Sequence, residues 1–204
     1  MTDKFNRSAT VTTLVVGIAL ILVLVIGVNT ATAKKIPIIE KYKANAISMA
    51  GGGGSSMVEM NIYSWTTEDV REELINEVKA ATASNKHNRD VAKALRGQKK
   101  VGYAFFAGKQ GYPIRYSRKI PLDNGGSRII LATDRPVSFG EVYSQGQLGD
   151  FDATVVLLEV DASGKGTGLL SVGTEVTWDD SKNAISVTNV TSQPVKLTDV
   201  RMVE

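Results

Sequence analysis

Residues 152–177 read DATVVLLEVDASGKGTGLLSVGTEVT, and their pattern decides the fold class. Two runs rich in Val, Leu and Thr, 152–160 and 167–177, flank the segment from Asp161 to Gly166. Such runs suit strands, and Asp, Ser and Gly between them supply the positive φ and local hydrogen bonds of a tight turn. The stretch therefore predicts an antiparallel hairpin. Its Gly164-Lys165-Gly166-Thr167-Gly168 run suggests a phosphate-cradling loop only at first sight. A P-loop needs an earlier glycine where this chain has Glu159, and a helix where it has the strand pattern Leu169, Leu170, Val172.

The same rhythm extends outward. Strands are expected at 100–106, 113–120, 127–133, 183–190 and 195–203, separated by the turn-rich segments Gly108 to Gly111, Asp123 to Gly126 and Asp179 to Asn183. Short loops make successive strands antiparallel neighbours, hence a meander. Upstream, Met57–Trp65 (MVEMNIYSW) alternates Val58, Met60 and Ile62 against Glu59 and Asn61, which marks the first strand. The period then changes. Thr66 and Thr67 are N-cap candidates before Glu68 and Asp69, and Val70, Leu74, Val78 and Ala81 form one stripe on a helix ending near Ser84. A second helix starts near Asn88, carries Val91 and Leu95 on one face and stops at Gly97. The expected fold is α+β: an antiparallel meander of about eight strands, with two helices inserted after the first strand. Alternation leaves barrel and sandwich open. The inward apolar positions are Val156, Leu158, Leu170, Val172, Ile185 and Val187.

The N-terminus has another character. Lys4 and Arg7 precede an apolar run from Val11 to Val28, followed by Asn29-Thr-Ala31-Thr-Ala33, the layout of an export signal with a small-x-small cleavage pair. The run is also long enough for a tilted span, so residues 1–33 read as a signal peptide or an N-terminal membrane anchor, with residues 11–28 the tethering segment. Lys34, Lys35, Lys41 and Lys43 oppose that orientation under the positive-inside rule. Residues 34–56, with Gly51 to Gly54 and Ser55-Ser56, read as a flexible Gly/Ser tether, and 57–204 as a single α+β domain. The expected location is outside the cytoplasm, periplasmic or extracellular, with membrane contact only through the N-terminal segment.

Composition narrows the function. Lys4, Arg7 and Asp3 fall in the leader, so the remaining 171 residues carry 22 Lys/Arg against 20 Asp/Glu, interspersed. That balance argues against nucleic acid. Zero cysteines excludes a disulfide scaffold, a thiolate nucleophile and a Cys-ligated metal. His87 is the only histidine and sits in the polar run Ser84 to Arg89, which reads as a solvated linker. Neither a metal nor a cofactor is expected, and no catalytic residue is assigned. Among carboxylates, Asp134, Glu141, Asp150, Asp152 and Glu159 are available for a two-acid site, but most flank turns, where Asp bonds its own backbone.

The least generic stretch is Arg128 to Phe139, where an Ile/Leu strand runs into Thr133-Asp134-Arg135-Pro136. Pro136 must end sheet pairing and hold Arg135 extended. Asp134 is placed to cap or clamp this corner, with Arg135 either pairing with it or reaching a neighbouring strand. Strict alternation puts Ile114, Tyr116 and Arg118 on one face of the preceding strand and Arg115 with Ser117 on the other. An Arg115 or Arg128 turned inward beside Asp134 makes a buried charged network, either an anion site or a device that specifies the fold. Asp134, Arg135, Arg115, Tyr116 and Arg128 are the candidate binding residues.

Gly111-Tyr-Pro-Ile-Arg115-Tyr116, the segment Leu131-Ala-Thr-Asp134-Arg135-Pro136, Gly164 to Gly168 and the closing Gln193-Pro194-Val195-Lys-Leu197-Thr together resemble a family of uncharacterised exported bacterial proteins. The likeness spans roughly Ile62 to Val200. It implies a signal-bearing bacterial domain and transfers no catalytic residue. The favoured function is a non-enzymatic binding or structural module of the envelope, whose curled sheet either encloses a small apolar ligand or fills itself with side chains, the commoner outcome for small barrels. The rivals are a cell-envelope hydrolase with a carboxylate/arginine site around Asp134, and an assembly subunit binding an envelope protein partner.

Overall fold

The computed structural model describes residues 36–47, 55–84, 87–106, 111–135, 153–189 and 194–203, all within one compact unit that spans residues 36–204. Among them are ten strands and two helices: β1 (Glu40–Ile47), β2 (Ser55–Ile62), α1 (Glu68–Ser84), α2 (His87–Gly97), β3 (Gly102–Phe106), β4 (Tyr112–Pro121), β5 (Ser127–Thr133), β6 (Thr154–Val160), β7 (Lys165–Val172), β8 (Thr174–Asp179), β9 (Ala184–Asn189) and β10 (Val195–Met202). Eight close into an antiparallel barrel in the order β1-β10-β7-β6-β5-β4-β3-β2, and β8 and β9 form a separate two-stranded sheet. The α+β meander is thus a barrel. Six of its strands, β3 to β7 and β10, come from the part of the chain after α2.

Closure depends on a strand that sequence reading missed. Within the stretch taken as a tether, Glu40–Ile47 forms β1, pairing with β2 on one side and β10 on the other. Its inward residues are Tyr42, Ala44 and Ala46, all buried, between Lys41, Lys43 and Asn45. Alanine gives weak strand propensity and little hydrophobic contrast, which hides the alternation. The helices therefore follow the second strand rather than the first. Gly51 to Gly54 and the leader lie outside the described residues.

An eight-stranded barrel is just wide enough for its own side chains. Val58, Met60, Ile62, Ile129, Leu158, Leu170 and Leu197 are all fully buried in one continuous core. Small residues let these large ones meet. Gly166 and Gly168 of β7 lie where β6 passes so closely that a Cβ would fall 1.8 Å from the Glu159 carbonyl oxygen and 2.7 Å from the Leu158 side chain. That explains the glycines of the Gly164–Gly168 run better than a phosphate does. The turn before them is as expected: the Asp161 carboxylate accepts from the Ser163 and Lys165 amides at 2.8 and 3.0 Å, and Gly164 takes φ +76°. The bond from the Ser163 hydroxyl first, and then those amide bonds, hold the Asp161 carboxyl below its ordinary range.

The run read as one strand from 167 to 177 is two. Gly173, at φ +65°, ends β7 and turns the chain out of the barrel into the β8–β9 hairpin. Val156, Leu158, Leu170 and Val172 face inward as expected. Ile185 and Val187 do not: they sit on the outlying hairpin and are 42% and 43% exposed.

Both helices pack outside the barrel. The link from β2 is tied to β4, where the Ser117 amide donates to Thr66 Oγ1 at 2.9 Å and the Ser117 hydroxyl to the Ser64 carbonyl at 2.8 Å. Thr66 is thus a tie to the wall rather than a cap. Leu74, Val78 and Ala81 of α1 and Val91 and Leu95 of α2 form a second core with Ala132, Ala153 and Val176. The predicted stripes are the buried ones.

Candidate functional site

The corner at the end of β5 brings three of the five sequence candidates together. Arg115 Nε donates to Asp134 Oδ2 at 2.8 Å, and its Nη1 to the Gln98 carbonyl at 2.7 Å, just beyond α2. Arg135 Nε donates to Asp134 Oδ1 at 3.3 Å, and Arg96 Nε of α2 to the Asp134 carbonyl at 3.4 Å. The Thr133 hydroxyl donates to the Arg135 carbonyl at 2.6 Å. The Asp134 side chain is 6% exposed and that of Arg115 16%.

A β-bulge aims Arg115. Ile114 pairs with Thr133 and Tyr116 with Ala132, leaving Arg115 as the extra residue. Beyond the bulge the parity reverses. Ile114 shares the barrel interior with Ser117, and Tyr116 and Arg118 turn outward, which corrects the strict alternation. Arg128 is not part of this network. It lies opposite Glu159 in the β5–β6 register and pairs with it at 2.6 Å on the surface, the two side chains 45% and 50% exposed. An exposed pair of this kind contributes at most about 1 kcal/mol.

Chemically, the corner is a clamp. Each carboxylate oxygen of Asp134 accepts from a guanidinium, Oδ2 from Arg115 and Oδ1 from Arg135. It ties the end of α2 to β4 and β5. Of the other acids weighed, Glu141, Asp150 and Asp152 lie outside the described residues. So does the His87 side chain, although its backbone begins α2. Among the described residues no group of three or more His, Asp or Glu is placed to hold a metal ion, and no helix is long and apolar enough to cross a membrane.

A second site lies on the same flank. Tyr116, Arg118, Ile130, Ala132 and Val155 form the outer barrel face, α1 walls one side and the β8–β9 hairpin the other, leaving an open cleft of about 630 Å³. Trp178 anchors the hairpin to α1: its amide donates to Thr82 Oγ1 at 2.9 Å, and Lys79 Nζ sits 4.2 Å from its ring centroid. At the start of α1, Arg71 forms an ion pair with Glu68. That hydrogen bond, with smaller help from the Arg118 charge, holds the Glu68 carboxyl below its ordinary range. Of the sequence candidates only Tyr116 lines this cleft.

The rest of it is not legible in the sequence because the lining comes from α1, α2, three barrel strands and the hairpin, which lie far apart along the chain. The available signal was the apolar pair Ile185 and Val187 on a strand set apart by Gly173, but it was assigned to the core.

Fold and site together define a closed eight-stranded antiparallel barrel with a helix pair and a hairpin flanking an external cleft. No family model matches the chain, and no curated protein or solved structure matches it.

Proposed function

We propose that this is an exported bacterial envelope protein acting as a non-enzymatic binding module, with the flanking cleft as its ligand site. The carrying observation is the cleft itself: about 630 Å³, within the usual span of small-molecule sites, with apolar lining and a few convergent polar groups. A packed barrel beneath it supplies a rigid floor. The clamp at Asp134 supports the same reading, since it ties the end of α2 to the barrel and its carboxylate is 6% exposed. Export rests on the leader: Lys4 and Arg7, the apolar run to Val28, and Ala31 and Ala33.

The test is a titration of the full-length chain with a neutral, environment-sensitive apolar dye. Saturable one-to-one binding is expected. Ile185→Asp, which puts a charge on an exposed cleft residue, should weaken it about tenfold with an unchanged unfolding midpoint. Absence of saturable binding by the unaltered chain would overturn the binding reading. Protease protection of residues 57–204 in cells with a permeabilised outer envelope would overturn export.

A protein partner is the second reading. It is favoured by the β8–β9 hairpin, whose strands pair only with each other among the described residues, leaving sheet edges for an added strand.

A further inference from the structure

The cleft is charged in one sense only. Three ionisable cations line it, Arg71, Lys79 and Arg118, and no carboxylate does among the described residues. The three are not equivalent. Arg71 is paired with Glu68, and Lys79 lies over the Trp178 ring. Arg118 has no hydrogen bond or ion pair among the described residues and senses Glu68 only through space. It stands on β4 opposite Ile130 of β5, and the next row of the same outer face holds Tyr116, Ala132 and Val155. An unspent planar fork of donors thus adjoins a hydrocarbon floor. Along α1, Arg71 and Lys79 are eight residues apart, about 12 Å of helix rise, so the Arg71–Arg118 end is separated from the Trp178 end by the length of an extended chain. Ile185 and Val187 face that length from the hairpin.

We propose that the cleft takes a single-chain amphiphile with an anionic head, a free alkyl carboxylate, its head group on Arg118 beside Arg71 and its tail laid between Ile130, Val155 and the hairpin. This deepens the reading of the cleft as a ligand site and depends on it. A free chain fits where a bilayer does not, because α1 and the hairpin wall the floor on both sides and bury Ala132 and Ala153 at its base.

Calorimetry of the full-length chain with decanoate and with uncharged decanol separates the two claims. Decanoate should bind one-to-one and about tenfold tighter than decanol, the size of effect one charge-assisted contact gives. Arg118→Gln should bring decanoate down to the affinity of decanol for the same variant. Equal affinity for the two, or a preference that survives Arg118→Gln, overturns the anionic head while the cleft remains a ligand site. Failure of decanoate, decanol and the neutral dye alike overturns the cleft itself. Binding to phosphatidylglycerol vesicles, or to an acidic amphipathic peptide, without binding of decanoate overturns the free-amphiphile assignment.

Discussion

The inside of the barrel and the flank beneath α1 are both apolar, yet they are finished differently. Inside, Val58, Met60, Ile62 and Leu158 are 0% exposed, whereas across the flank burial thins from Leu74 and Val176, at 7% and 9%, to Ile185 and Val187 at 42% and 43%. The interior is enclosed by a ring of backbone hydrogen bonds that fixes every strand's register, so each inward side chain meets a defined opposite wall. The flank is covered by inserted segments that meet the barrel mainly through side chains. Such a contact tolerates a gap. Stability therefore resides in the ring, and room for a ligand resides where the insertions do not quite meet.

The severest way to break this contrast is Leu158→Ala. The side chain sits at the centre of the packed interior, and truncation there should cost about 3–4 kcal/mol, measured by chemical denaturation. A cost below about 1 kcal/mol would mean that the interior yields as readily as the flank.

Next in size is Asp134→Ala. Removing the carboxylate leaves Arg115, at 16% exposure, without its charged partner, and a loss of about 2 kcal/mol is expected after allowing for the water that still reaches the guanidinium. Hydrogen exchange should rise in α2, which the clamp ties down through Gln98 and Arg96. Unchanged stability and exchange would remove the clamp from the account and return Asp134 to the candidates for chemistry.

How much of this was legible in the sequence follows the same division. Strands that alternate large apolar with polar residues, such as Met57 to Ile62 and Thr154 to Val160, announced themselves, as did the two helix stripes. The strand built on Ala44 and Ala46 did not, because small side chains carry little contrast and a glycine run follows them. Periodicity also fails where one residue is inserted: the bulge at Arg115 reversed the facing of Tyr116 and Arg118, and only strand pairing reveals it. Asp134 stands out because an Ile/Leu strand runs into Thr-Asp-Arg-Pro, but the sequence leaves its inward partner open between Arg115 and Arg128, and the bulge is what brings Arg115 to it. The cleft was invisible for a different reason. Its lining comes from residues 71–79, 91–95, 116–132, 153–155 and 176–187, and no local pattern records that distant segments stop short of each other.

The mildest test concerns the tip of the hairpin that forms one wall. Asp179 accepts from the Ser181 hydroxyl at 2.6 Å and the Ser181 amide at 3.0 Å, and pairs with Lys182 at 2.7 Å. The Lys182 bond first, then that from Ser181, lowers its carboxyl pKa from 3.8 to about 2. Because the folded value lies below the unfolded one, the contribution of this turn is complete at neutral pH and fades as pH falls from about 4 through about 2. Carboxyl carbon shifts followed by NMR should show an Asp179 midpoint near 2 and a higher one in Lys182→Ala, with the barrel amides unmoved through the transition. The turn lies at the hairpin tip, away from the barrel ring, so global stability should hardly respond. Barrel amides that shift together with Asp179 would show hairpin and barrel to be one cooperative unit, and the division between a closed interior and an adjustable flank would fall with it.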